Sequence, residues 1–205
     1  MTIVQSLLAF LAVAALVVIT PGLDTALVLR TTTGEGRRSG LRAAFGIGTG
    51  CLIWGAAVAV GLAAVLAASA AAFALVRLAG AAYLLWLGVK LILHPRSAMD
   101  SAGPPVGSHP FRSGLFTNLL NPKAGVFYIS FLPQFVPAGV NAPAWTFVLA
   151  VIHVALGLAW FSLLIGAISR ARGFLERRGV VAALDRITGC VFVGFGLDLA
   201  LSRRA

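Results

Sequence analysis

The chain is short of charge, and shortest of acid. Only 11% of its 205 residues are charged, and only 6 are Asp or Glu. Soluble domains carry about 25% charged residues. With 60% hydrophobic residues and 23 glycines besides, a soluble globule of this size would expose large apolar patches. Disorder is excluded by the same numbers. Cysteine is scarce too. Cys51 and Cys190 both lie inside apolar runs, whereas a disulfide framework needs more cysteines, in loops. They read as small buried hydrophobes. Strand-like alternation is missing, which excludes a membrane β-barrel. No P-loop, zinc spacing or Ser/His/Asp constellation is present. Gly34, Gly36 and Gly40 imitate part of a nucleotide fingerprint, but no strand precedes them. Neither an enzyme nor a cofactor or metal site is expected.

What the chain has is long apolar runs and a mean hydropathy of +0.98. Six runs cover residues 3–29, 43–67, 71–93, 113–136, 144–169 and 184–201. Each is near the ~20 residues that cross ~30 Å of hydrocarbon. The fold class read from this is an all-α integral membrane protein with six transmembrane helices. The first run is not a signal peptide, because no basic side chain precedes Ile3 and the run continues past Pro21-Gly22. The net charge of +10 does not point to nucleic acid. The basic residues stand between the runs, where a membrane protein needs anchors, and no aromatic-interleaved basic face accompanies them.

Loop charges set an expected orientation. Arg30, Arg37, Arg38 and Arg42 follow the first span. Lys90, Arg96 and Arg112 flank the connection after the third. Arg170, Arg172, Arg177, Arg178 and Arg186 cluster after the fifth. The connections after the second and fourth spans hold no Lys or Arg. The basic loops are therefore expected in the cytoplasm and both termini outside, with Arg203 and Arg204 as a local exception. The connection 94–110, rich in Pro, Gly and Ser, reads as a cytoplasmic linker between two three-helix halves, 1–93 and 111–205.

The halves resemble each other. Pro21 and Pro122 are 101 positions apart, and each interrupts the first span of its half. Each follows a capping residue, Thr20 or Asn121, and a cap followed by proline is a helix-start signature. Arg77-Leu78-Ala79-Gly80 and Arg186-Ile187-Thr188-Gly189 form a second match, 109 positions apart. Three spans per half make the repeats inverted, with the first helix of each broken. Paired broken helices mark the binding site of many transporters. Proline kinks also occur in membrane helices without a functional role.

Two charges sit at the breaks. Asp24 falls in the first turn of the restarted helix, where the helix N-terminus favours an acid. Lys123 directly follows Pro122, where its own helix dipole disfavours it, so it calls for an anion. An ion at this depth costs roughly 2.5–3.5 kcal/mol on insertion scales and needs a partner or water. Two arrangements satisfy the pair. One is a structural Asp24–Lys123 bridge. The other is a polar pocket for a small zwitterion, with Asp24 facing an ammonium and Lys123 a carboxylate. In the second reading Thr20, Pro21, Gly22 and Asp24 join Asn121, Pro122 and Lys123 as the substrate-binding and translocation site. Protonation of Asp24 would then couple transport to protons. His153, alone in the fifth span, is a candidate proton relay alongside Asp24, and a packed, hydrogen-bonded histidine is the alternative. Asp198 and Arg77 are read as snorkelling at span ends. Gly46 and Gly50 are read as a close helix contact.

These residues resemble the LysE/RhtB amino-acid exporters (lysine exporter and homoserine–threonine efflux type). The resemblance lies in Thr20-Pro21-Gly22-Leu23-Asp24, Gly36-Arg37-Arg38-Ser39-Gly40, Gly46-Ile47-Gly48, Gly80-Ala81-Ala82-Tyr83-Leu84 with Leu87-Gly88, Asn121-Pro122-Lys123-Ala124, and Phe131-Leu132-Pro133-Gln134-Phe135. It covers nearly the whole chain. It departs at Leu23, where the family pattern usually carries a second proline. It implies efflux of amino acids or close derivatives across the bacterial cytoplasmic membrane, in exchange for protons. Related six-helix proteins carry electrons through paired cysteines or export metal ions. Cys51 and Cys190 are at neither break, so alkylating both is expected to leave function intact. His153, Asp24 and Asp198 are too scattered for a metal path. A homodimer is compatible with so small a transporter, and nothing in the chain requires one.

Overall fold

The computed structural model describes residues 2–68, 70–95, 109–167 and 177–201. Among them the structure is helical throughout. The first helix, α1 (Ile3–Ile19), opens on a capping box. Thr2 Oγ1 accepts from the Gln5 amide at 3.2 Å, and the Gln5 side chain accepts from the Thr2 amide at 2.9 Å. After a break at residues 20–22 the chain resumes as α2 (Leu23–Glu35), bent by 51° from α1. Gly36 turns the chain at φ 90°, a conformation open to glycine, and α3 (Arg37–Ala68) leaves at once. α4 (Ala70–Leu93) completes the first half.

The second half starts with α5 (Pro110–Leu119), with its proline in the first turn. A break at Leu120-Asn121 leads into the short α6 (Pro122–Val126). The chain continues through a widened π-helical turn (Phe127–Phe131) and a 3-10 turn (Leu132–Phe135). Pro133 has no N–H to give to an α-helical ladder, and the Gln134 amide side chain donates to Ser130 O at 2.6 Å. α7 (Ala142–Gly166) starts from Asn141, whose side chain accepts from the Ala144 amide at 3.0 Å. α8 (Arg178–Leu201) ends the described chain.

The elements follow the apolar runs, with shifts at the edges. α3 starts six residues ahead of the second run and α8 six ahead of the last, because Arg37 and Arg178 extend these helices past their apolar stretches. Most of the 94–110 linker, the Arg170–Arg172 loop and the Arg203–Arg204 tail lie outside the described residues, as do the side chains of Arg77 and Asp198.

Lipid is as apolar as leucine, so membrane helices associate through close packing and hydrogen bonds rather than through hydrophobic burial. Glycine makes that packing here. The stripe on α3 meets α5: a Cβ on Gly46 would overlap the Phe111 carbonyl, and one on Gly114 would overlap that of Ala43. The same holds where α4 packs along α8. A Cβ on Gly88 would lie 2.7 Å from Gly189 O, and one on Gly189 would lie 2.7 Å from Gly88 O. The sequence match set Gly189 beside Gly80; the glycine it meets is Gly88, 101 positions away, the same offset as the two prolines. α3 also packs on α7. Aromatic rings fill the remaining centre. Phe10, Phe127, Phe131, Phe135 and Phe192 are buried, with Phe10 and Phe135 edge to face at 5.5 Å and Phe131 and Phe192 tilted at 5.1 Å. Each such pair contributes about 0.5–1.5 kcal/mol beyond its area.

The outside is the reverse of a soluble surface. Leu8, Val60, Leu75 and Leu163 are each more than 60% exposed, which only lipid tolerates at this density. Among the described residues, Arg37–Gly61 and Ala142–Gly166 are long and apolar enough to cross a membrane, and the bent α1–α2 pair adds a third.

Candidate functional site

The first break begins with a missing hydrogen atom. In a continuous helix the amide of residue 21 would donate to Val17 O, but Pro21 has none. Thr20, preceding a proline, is extended at φ −65° and ψ 117°. It closes α1 rather than opening α2, because its Oγ1 donates back to Leu16 O at 2.7 Å. The expected role of Thr20 as a helix-start cap is therefore corrected: the N-cap of α2 is Gly22, which offers no side chain. Thr20 Oγ1 also meets Thr188 Oγ1 of α8 at 2.8 Å.

The orphaned carbonyls of α1 find a cation. Lys123 Nζ donates to Val17 O at 2.9 Å and to Thr20 O at 2.8 Å. The negative end of a helix dipole suits an ammonium, so Lys123, misplaced for its own helix, is well placed for the broken one. Gly22 lies alongside it: a Cβ there would stand in ordinary contact, 3.8 Å from Lys123 Cδ.

The second break is capped as expected. Asn121 Oδ1 accepts from the Lys123 amide at 3.0 Å, with Pro122 in the first turn of α6. One turn earlier, Asn118 Nδ2 donates to Asp24 Oδ2 at 2.8 Å. Asp24 stands in the first turn of α2, as expected. Its other oxygen, Oδ1, is buried and lacks a hydrogen-bond partner among the described residues. Lys123 is close enough for its charge to act on the carboxylate.

These groups line a single cavity. Thr20, Gly22, Asp24, Asn121 and Lys123 all face it, and so does His153 from α7. Pro21 is buried beside it, and the Pro122 side chain is outside the described set. The cavity measures about 70 Å³, several times the roughly 10–15 Å³ that one water needs. His153 is not isolated: its Nδ1 lies 2.8 Å from the Tyr128 hydroxyl, and its ring lies 4.6 Å from that of Phe127.

Asn118 and Tyr128 were not singled out by sequence. The available signal for Asn118 was a second amide one helical turn before Asn121. Asp185, fully buried on α8, was also passed over, since it stands at the edge of an apolar run beside Arg186. The cysteines divide. Cys51 is buried and faces the cavity, while Cys190 is exposed, so reading both as buried hydrophobes is corrected for Cys190, which stands on the outer surface of α8.

An apolar helical chain with two interrupted helices, and an acid and a base sharing one cavity between the breaks, has the make-up of a membrane translocator. A family model described as LysE type translocator matches residues 15–203, and the chain belongs to this family. It is 34% identical to the uncharacterized membrane protein YrhP of Bacillus subtilis, over 97% of this chain and 100% of that one. It is 32% identical to the leucine efflux protein of Klebsiella pneumoniae, over 96% and 95% of the two chains. It is 29% identical to the threonine efflux protein of Escherichia coli K12, over 96% and 100%. No solved structure gives a significant match. The family is one of membrane transporters and not of enzymes, as the sequence led one to expect.

Proposed function

We propose that this protein is a secondary active exporter of amino acids or close derivatives across the bacterial cytoplasmic membrane, working in exchange for protons. The observation that carries this reading is the cavity wall in which the Asp24 carboxylate and the Lys123 ammonium face one space between two helix breaks. The relatives named for leucine and threonine efflux support the substrate class.

In this reading the α-ammonium of the substrate docks on Asp24, whose Oδ1 has hydrogen-bonding capacity to spare. The α-carboxylate draws the Lys123 ammonium from the Val17 and Thr20 carbonyls, a charge-assisted bond replacing two neutral acceptors. A proton on Asp24 cancels the attraction for the ammonium and releases the substrate. His153, which lines the same cavity and meets the Tyr128 hydroxyl, is the proposed route by which that proton arrives or leaves.

Six crossings are proposed, as two inverted three-helix repeats, 1–93 and 111–205, joined by a cytoplasmic linker at 94–110. The basic loops face the cytoplasm and both termini lie outside. The packing of α3 on α7 and of α4 on α8, with Gly88 and Gly189 at the prolines' own offset, supports this arrangement. A homodimer is the proposed assembly.

Inside-out vesicles with an imposed proton gradient test the reading. Uptake of an amino acid that collapses when the gradient is discharged is the expected outcome. Uptake of no amino acid, with or without the gradient, rejects it.

A further inference from the structure

We infer that the cavity is built for amino acids with apolar side chains, aliphatic or aromatic, in preference to hydroxylated or basic ones. This rests on the amino-acid export reading and narrows it. The cavity has two unlike walls. One carries the charges: Thr20, Asp24, Thr25, Asn118, Asn121 and Lys123 reach the cavity from the two breaks and their flanks, with apolar Val17 and Phe127 among them. Ala44 and Ile47 of α3, with Val154, Leu158 and Phe161 of α7, form the other.

The ammonium and carboxylate are common to all amino acids, and the first wall carries the charges that meet them. The side chain then falls against the second wall. There a hydroxyl finds methyl, methylene and ring carbons, and loses its water without a replacement. A basic side chain needs a second acid, and among the described lining residues Asp24 is the one acid. His153, next to Val154 on α7, has its Nδ1 engaged with Tyr128. Kinship does not make this choice, since the relatives named for leucine and for threonine are 32% and 29% identical to the chain.

Two positions tune the second wall. Val154 is half-buried, and its Cγ1 would stand 3.2 Å from a Cβ on Gly48 across the helix contact. Gly157 lines the cavity, and a Cβ added there meets no atom within 4 Å. Val154→Thr keeps the shape and adds a hydroxyl. Gly157→Val adds bulk where there is room, and Gly157→Ala is its control.

The test uses the full-length protein in proteoliposomes loaded with unlabelled amino acid. Exchange of labelled leucine, phenylalanine, alanine, threonine and lysine is followed without an imposed gradient, so that coupling plays no part. Leucine and phenylalanine are expected to exchange about 10–100-fold faster than threonine or lysine, the range that an apolar pocket achieves. Val154→Thr should move the leucine-to-threonine ratio several-fold toward threonine. Gly157→Val should slow leucine and phenylalanine more than alanine. Faster exchange of threonine or lysine by the wild type, or ratios unmoved in both variants, overturns the side-chain assignment and leaves amino-acid export standing. Exchange of no amino acid overturns both.

Discussion

The two helix breaks, with their prolines 101 positions apart, are held in opposite ways. At Asn121-Pro122 the side chain preceding the proline caps the next helix, so the break is closed by its own residues. At Thr20-Pro21-Gly22 the corresponding side chain turns back onto α1, and the next helix starts from an uncapped glycine. The carbonyls left open at this break, those of Val17 and Thr20, are held from 106 and 103 positions away by Lys123. One break therefore serves as the support of the other. The lesson is an asymmetry of charge: the self-contained break supplies the cation, and the dependent break carries the acid.

The largest way to disturb this comparison is to remove the cation. Lys123→Gln should slow exchange of intact amino acids strongly and destabilise the protein by about 1.5–3 kcal/mol, the scale of hydrogen bonds to a charged group. Exchange in proteoliposomes and thermal unfolding in detergent would register the two effects. Asp24→Asn separates function from support. The amide keeps the shape and can still accept from Asn118, so exchange of intact amino acids should fall steeply with thermal stability nearly unchanged. Equal destabilisation by both variants would mean that the breaks do not differ as described. Next comes Asn121→Ala, which should cost about 0.5–2 kcal/mol, as for any lost N-cap. Thr20→Val should cost less, about 0.5–1.5 kcal/mol for the hydrogen bond to Thr188. Thermal unfolding checks both, and an Asn121→Ala protein as stable as the wild type would mean that the second break is not held by its cap.

A smaller effect concerns Cys51. The sequence alone led us to expect no consequence from alkylating either thiol, but Cys51 faces the cavity. A bulky maleimide should therefore slow exchange in a Cys190→Ser background, with substrate protecting. In a Cys51→Ala background it should do nothing.

The sequence revealed whatever rests on local rules. The α1 break, the capped α6, Asp24 in a first turn and the glycine contact on α3 all follow from proline, cap and spacing chemistry within a few residues. The partners were less visible. Asn118 reaches Asp24 across 94 positions, and Tyr128 meets His153 across 25. No local pattern specifies such meetings, because they depend on how helices cross. Thr20 shows the limit of a local rule. Threonine before proline suits a cap, and it equally suits a return bond to the carbonyl four residues back; the carbonyl end of α1 settled the competition. The π-helical turn at Phe127–Phe131 was likewise hidden, since nothing in an apolar run marks where a helix widens.

The central claim is that Asp24 and Lys123 divide the two ends of one zwitterion. The most direct measurement is exchange in proteoliposomes with three matched compounds: an amino acid, the same molecule without its carboxylate, and the same molecule without its amine. The wild type should strongly prefer the intact amino acid. Lys123→Gln should lose its discrimination against the compound lacking a carboxylate, and Asp24→Asn its discrimination against the compound lacking an amine. Wild-type exchange and wild-type discrimination in both variants would contradict the account.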